Sequence, residues 1–354
     1  MFMRIKQLQK QLKIKKIDLA LFWCDGETKN TNIEYFANYF GIGYLAVTKK
    51  KSFLLIPEYE QDKAKNATIK FYVAEKKKYL IDQLTQKLSK SKIKKTAIEE
   101  NKITVYRYKQ IKKKIKGRFT NISKICSDIR MIKDSNEIKY LKKACEVTDN
   151  VFSKIIKKFK TFKYEDDVRI FIETEFTKQH CELSFPTIAA SNTGTSFVHY
   201  EGNKKIQKGF FMLDFGAKYK GYHADMTRMI YFGTPKETEL EDYELMLNTI
   251  TECEKSVTTK KTFGHIDKLS KKILSKKKYE CPHMLGHGVG LDIHERPSVY
   301  SEDKTKIQNN IVFTIEPGIY FPNKYGIRIE DTVMIQNNKL VILTKSNKNL
   351  TIIK

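Results

Sequence analysis

Residues 210–232 read FFMLDFGAKYKGYHADMTRMIYF. Two apolar runs, 210–217 and 222–232, flank a short polar segment ending in Gly221, the pattern of a β-hairpin. A turn centred between Tyr219 and Lys220 places Asp214 directly opposite Asp225, side chains on one face and Cβ atoms about 4.5–5.5 Å apart. Aspartate is disfavoured in strands. Two facing carboxylates among Phe211, Met212, Leu213 and Phe215 repel each other and are poorly solvated. A divalent cation is the simplest compensation. His223 shares the parity of Asp225 and reads as a supporting or surface residue.

The pattern recurs downstream. Residues 311–316 and 326–335 are strand-like and flank 317–325, which carries Pro, Gly and Asn. A loop symmetric about Asn323 sets Glu316 opposite Glu330. Either pair alone is as readily an ordinary strand with a charge partner. Two such pairs with a histidine-rich segment between them point instead to a metal centre. That segment, CPHMLGHGVGLDIHE at 281–295, holds His283, His287 and His294, three of the seven histidines in the chain. Its glycines oppose a long helix and let the backbone approach a ligand closely.

Outward from this centre, the chain of 354 residues is too long for one ordinary core and implies two domains. Strands alternate with helices up to about residue 120, an α/β pattern. The boundary is placed at 125/126. Beyond it, 135–160, 164–178, 237–259 and 264–276 read as helices. No apolar run approaches the roughly 20 residues of a membrane helix. The run Ile17–Cys24 contains Asp18 and reads as a buried strand rather than a signal peptide. Six cysteines without a C-x-x-C pair suit reduced thiols and a cytoplasmic location. The formal charge of +26 invites a nucleic-acid partner, but 59 Lys against 8 Arg, spread along the whole chain, form no reading surface. No specific nucleic acid and no membrane are expected as partners.

The stretches LDFGAKYKGYHADMTR, HMLGHGVGLDIHE, TIEPGIY and GIRIEDT together resemble the pita-bread metallopeptidases: prolidase, aminopeptidase P and methionine aminopeptidase. NIEYFANYFG at 32–41 resembles the N-terminal domain of prolidase, aminopeptidase P and creatinase, and RMIKDSNEIKYLKKA at 130–144 the opening helix of the catalytic domain. The resemblance implies an α+β pita-bread catalytic domain, 126–354, preceded by a smaller α/β creatinase/prolidase-like domain, 1–125. Methionine aminopeptidases mostly lack that domain, and creatinase lacks the metal ligands.

Carried over by position, the resemblance implies metal ligands Asp214, Asp225, His287, Glu316 and Glu330, with Asp225 and Glu330 bridging two divalent ions. Oxygen-rich ligands with one His favour manganese, with cobalt, iron or zinc as alternatives. His199, in SFVHY, matches a histidine near the scissile bond. His283 and His294 match two histidines that contact substrate, and Tyr320 an active-site tyrosine. Arg328 would hydrogen-bond the ligand shell. Glu316 would receive a proton from water and return it to the leaving nitrogen. Where a substrate-carboxylate arginine is common, Ser298 stands instead, and Arg296 is the displaced candidate. The implied activity is hydrolysis of the Xaa-Pro bond at a free N-terminus by a homodimer. The short interval from Glu316 to Glu330 favours an Xaa-Pro dipeptidase. Aminopeptidase P acting on longer peptides, or a non-catalytic protein- or RNA-binding relative, are the alternatives.

Overall fold

The computed structural model describes residues 2–354 except Thr28 and Lys77, with the side chain of Phe2 also outside the description. The chain divides into two compact units, Met1–Arg130 and Met131–Lys354. The boundary expected at 125/126 falls inside a helix, Ser123–Met131, and the units part near that helix's end.

The first unit is built on a mixed six-stranded sheet. Its order is Phe71–Val73, Ser52–Ile56, Gly43–Thr48, Leu19–Cys24, Lys95–Ile98, Arg118–Asn121. Leu19–Cys24 reads LALFWC and is buried along nearly its whole length, as a central strand requires. The NIEYFANYFG segment forms the helix Thr31–Ala37. The side chain of Asn30 caps it, accepting from the backbone of Asn32 and Ile33. Asn30 also donates to the buried Glu99 at 2.8 Å.

In the second unit two sheets carry the site, each backed by a helix pair. A four-stranded sheet runs Thr351–Ile353, Met226–Phe232, Gly209–Phe215, Ile188–Ser191. Helices Ser135–Lys158 and Glu165–Lys178 bury Val151, Ile155, Val168 and Ile172 against its Phe211, Leu213 and Phe215. The first of these helices is capped by Asp134, in a reciprocal capping box with Glu137. A five-stranded sheet runs Glu295–Val299, Gly286–Gly288, Val312–Ile315, Asp331–Gln336, Lys339–Ile342. Helices Glu237–Ser256 and Phe263–Leu274 pack Met246, Ile250, Phe263 and Ile266 into the core that holds Phe313 and Val333.

The hairpin registers differ in how they meet expectation. In the second hairpin Ile315 pairs with Asp331 and Gly318 with Arg328, so Glu316 and Glu330 face each other where two ladders meet, as the loop about Asn323 predicts. In the first, Thr227, not Asp225, lies opposite Asp214. The turn centres on Lys220 and Gly221, with φ of 52° and 84°. Both central residues of a tight two-residue hairpin turn of this kind need positive φ, and Gly221 supplies the second without steric cost. The register therefore moves by two residues. The faces are unchanged, and Asp225 becomes the diagonal neighbour of Asp214.

Candidate metal centre and active site

Asp214 stands near the end of Gly209–Phe215, and Asp225 just before Met226–Phe232. The ladder is interrupted between these points. There the backbone N–H of Asp225 donates to Thr332 Oγ1 at 3.2 Å, and its carbonyl accepts from the same hydroxyl at 2.7 Å. His287 sits mid-strand, where Gly286–Gly288 is bulged against Glu295–Val299. A side-chain carbon at Gly288 would collide with the carbonyl of Arg296, which is why glycine follows the histidine.

These elements converge on one cavity of about 840 Å³, lined by Asp214, Asp225, His287, Glu316 and Glu330 together with His199, His283, His294 and Arg328. Ligand atoms of Asp225, His287 and Glu330 all lie within 4.8 Å of one another. His287 Nε2 is 3.5 Å from Asp225 Oδ2 and 3.4 Å from Glu316 Oε1. These contacts are not ion pairs. Burial, with His294 alongside, holds His287 down to about 4, so the ring is neutral near pH 7. Its Nδ1 lies 3.2 Å from the Gly288 carbonyl, which can only accept. Nδ1 therefore carries the proton, and Nε2 presents a lone pair to carboxylate oxygens.

The carboxylates are under matching strain. Burial raises Asp225 well above the usual carboxylate range, and Asp214 and Glu316 add to it. Glu330 is raised likewise by burial and then by Asp225, Glu316 and Asp214. Burial pushes Glu316 up to about 7, against the pull of Arg328 and with the push of Asp214. Asp214 Oδ1 is buried with no hydrogen-bond partner. Acceptors facing acceptors, a bare buried oxygen and mutually repelling acids are the donor set of a divalent-cation site.

Arg328 links this floor to the wall. It donates to Asp214 Oδ2 at 2.5 Å, to the Tyr320 hydroxyl at 2.7 Å and to the Val198 carbonyl at 3.2 Å. The Tyr320 hydroxyl in turn lies 3.0 Å from His283 Nε2, whose Nδ1 donates to the Met284 carbonyl at 2.8 Å. Burial holds His283 down to about 4. His294 packs edge-on against His287, ring centroids 4.4 Å apart. His199 and His294 are exposed to the cavity.

Of the expected site residues, Tyr320 and Arg296 do not line the cavity; Tyr320 still reaches it through Arg328 and His283, whereas Arg296 is set apart. Its Nη2 donates to Thr305 Oγ1 at 3.1 Å, and it does not line the cavity. The proline and serine that follow it belong to the strand Glu295–Val299, which ties this segment to the sheet. His223 is buried rather than on the surface, its Nδ1 2.9 Å from Ser184 Oγ.

Several supporting residues carried no sequence motif. Thr227 Oγ1 donates to Glu330 Oε2 at 2.7 Å and accepts from Arg328 Nε at 3.1 Å. Its parity with Asp225 was the available signal. Thr314 Oγ1 accepts from the His287 backbone at 3.1 Å and lies 3.3 Å from Glu316 Oε1. Behind Glu330, the buried Arg228 donates to the Glu330 carbonyl at 2.5 Å and to Asp331 Oδ1 at 2.6 Å, and Lys348 reaches Asp331 Oδ2 at 2.7 Å.

Comparison with known proteins places this geometry. The model of metallopeptidase family M24 matches residues 139–337, and that of the creatinase/prolidase N-terminal domain matches 4–132. A Pyrococcus horikoshii protein named Xaa-Pro dipeptidase is 32% identical over 355 residues, covering 98% of each chain. The crystal structure of the prolidase from Pyrococcus horikoshii superposes with a TM-score of 0.89 at 30% identity, over 98% of this chain and 99% of that one. An X-Pro aminopeptidase from Thermotoga maritima gives a TM-score of 0.88 at 26% identity, over 97% of this chain and all of that one, 100%. The smaller α/β domain followed by the α+β pita-bread domain is the architecture these relatives share, and among the described residues no helix is long and apolar enough to cross a membrane. With its cavity floor of carboxylates and one histidine, the chain belongs to metallopeptidase family M24 and carries that family's requirement for divalent metal.

Proposed function

We propose that this chain is a two-metal Xaa-Pro dipeptidase. The observation that carries the reading is the crowding of acceptors on the cavity floor, where His287 Nε2 and the carboxylates of Asp225, Glu316 and Glu330 face one another and the hydroxyls of Thr227 and Thr314 serve only one oxygen each of Glu330 and Glu316. Asp214, Asp225, His287, Glu316 and Glu330 are the residues that would hold the ions, with His287 the one nitrogen donor among them. Manganese suits this oxygen-rich set best. When bound, the metals supply Lewis acidity and make water nucleophilic at neutral pH.

The chain's own groups do the rest. Glu316, on the cavity floor, would take a proton from the attacking water and return it to the leaving imino nitrogen. His199 and His294, exposed at the cavity, flank the scissile bond, and His294 donates to the developing oxyanion. Arg328 keeps Asp214 in place, and Tyr320 and His283 brace Arg328. A cytoplasmic homodimer accompanies this reading, as does the full-length kinship with the Pyrococcus Xaa-Pro dipeptidase.

A second reading, aminopeptidase P, is favoured by one observation: Arg296, the expected clamp for a substrate carboxylate, is tied to Thr305 outside the cavity. Hydrolysis of Leu-Pro compared with Leu-Pro-Ala-Ala separates the two. The dipeptidase reading expects faster cleavage of the dipeptide. Cleavage of the tetrapeptide alone would make aminopeptidase P the correct reading.

A further inference from the structure

His199 lies on a stretch of chain with no ladder to hold it. Between the single-turn helix Asn192–Ser196 and the strand Gly209–Phe215, residues 197–208 form no helix or strand, and a lone bridge ties Lys205 to Tyr164. The His199 ring is exposed at the cavity and makes no hydrogen bond among the described residues. Its place is therefore set by what holds its neighbours. On one side the Val198 carbonyl accepts from Arg328 Nη1 at 3.2 Å. On the other Tyr200 is buried, and its hydroxyl donates to Glu165 Oε2 at 3.0 Å.

Glu165 opens the helix Glu165–Lys178 and is fully buried. No cation pairs with it among the described residues. Four neutral donors meet it instead. Oε1 accepts from the backbone N–H and the hydroxyl of Ser191, both at 2.8 Å. Oε2 accepts from Tyr200 and from the Lys204 N–H at 2.7 Å. Ser191 ends the strand Ile188–Ser191, whose Ile188 is paired with Asp214. One carboxylate thus bonds the strand beside a metal ligand with one oxygen and the His199 segment with the other. The next turn of the helix repeats the link: Arg169 Nη2 donates to the carbonyls of Ala189 at 2.9 Å and Gly202 at 2.6 Å. The Tyr200 ring is seated between Gly194 and Gly202, where a side-chain carbon at either position would crowd it. A buried polar network with every member satisfied fixes one arrangement, and the start of a helix favours the negative charge.

We propose that Glu165 is a positioning residue for His199, fixing the His199 segment through Tyr200 and Lys204 against the strand that pairs with Asp214. The inference rests on the Xaa-Pro reading above, in which His199 flanks the scissile bond. Misplacing a reacting group by about 1 Å costs up to about 100-fold in rate, so loosening one anchor should cost on the order of ten-fold.

The test is a double-mutant cycle on kcat and KM of the full-length, manganese-loaded protein with Leu-Pro, or with Leu-Pro-Ala-Ala where only that is cleaved. Tyr200→Phe removes the bond to Glu165 and keeps the ring. His199→Ala removes the group being positioned. With His199 present, Tyr200→Phe should lower kcat on the order of ten-fold and leave KM little changed, because the lost contact belongs to the transition state. In the His199→Ala background the same substitution should change kcat by a factor of about one. Glu165→Gln turns one acceptor into a donor facing donors, and should show the same dependence on His199 at larger size. If that variant does not fold, the Tyr200 cycle decides. An equal Tyr200→Phe loss with and without the His199 ring, a loss confined to KM, or no loss at all overturns the positioning role while leaving the Xaa-Pro reading standing. If the wild type cleaves neither peptide, that reading falls and the inference with it.

Discussion

Arg328 holds one oxygen of Asp214 and leaves the other bare: Nη2 lies 2.5 Å from Oδ2, while Oδ1 is buried with no hydrogen-bond partner. The guanidinium is itself fixed by Thr227, Tyr320 and Val198. Asp214 is thereby oriented with an acceptor to spare for a cation. Lysine cannot reproduce a planar fork that serves four partners. Arg328→Lys should therefore weaken metal binding or turnover by about 10- to 100-fold, the usual effect of losing a partner that orients a ligand. Calorimetric titration with manganese and kcat on Leu-Pro check this. Wild-type values in both would show that Arg328 does not orient the site.

Thr227 serves two masters, donating to Glu330 and accepting from Arg328. Thr227→Val keeps the shape and removes the hydroxyl. The buried Arg328 Nε then loses its partner, at a cost of about 1–3 kcal/mol. A fall in thermal midpoint together with weaker metal binding is expected. A variant that loses stability but binds manganese with unchanged affinity would reduce Thr227 to a packing role.

The raised carboxylates fix the sign of a pH dependence in the metal-free protein. Glu316 is pushed up to about 7, and Asp225 and Glu330 also lie above the usual range, by burial first and neighbouring acids second. In the unfolded chain such groups titrate near about 4. Between these ranges the folded state holds more protons than the unfolded one, so stability falls as pH rises from about 4 through 7. Metal binding needs the ionised groups, so it releases protons and stabilises more at the upper end of that window. Thermal midpoints of chelated and manganese-loaded protein across the window check this. The chelated protein should lose midpoint as pH rises and the gap should widen. A chelated midpoint that climbs with pH and a constant gap would contradict the assignment.

Asp331 is fully buried between Arg228 and Lys348, and Arg228 is only 1% exposed. Removing one partner of a buried pair leaves an uncompensated charge, a loss of about 3–5 kcal/mol. Asp331→Ala should therefore lower stability in urea by that order and, because Arg228 also holds the Glu330 carbonyl, weaken metal binding. Urea unfolding with an unchanged midpoint would show the network to be dispensable.

How far the sequence reached differs between the two hairpins. Glu316 and Glu330 were legible as a facing pair because the Pro-Asn loop between them is symmetric and the ladder keeps one register through the break. The first hairpin was centred half a turn early, since the need for positive φ at both Lys220 and Gly221 outweighs the symmetry of the apolar runs. A two-residue shift keeps every side chain on its face, so the Asp214–Asp225 face survived; a one-residue shift would have inverted it. The Arg228–Asp331–Lys348 network and the hub of Glu165, which accepts from Ser191, Tyr200 and Lys204, left no local trace. Their partners are far apart in the chain and join only through sheet packing. The placement of Arg296 depended on the course of the Glu295–Val299 strand, which no spacing rule sets.

The central claim is that the cavity floor holds two divalent ions through Asp214, Asp225, His287, Glu316 and Glu330. Its most direct test is the manganese content of the saturated, desalted protein by elemental analysis, read beside Glu330→Gln. The account predicts about two ions per chain in the wild type and fewer in the variant, which loses one of the five carboxylate and histidine groups that would hold them. A wild-type protein that retains no manganese, or a variant that retains as much as the wild type, would contradict it.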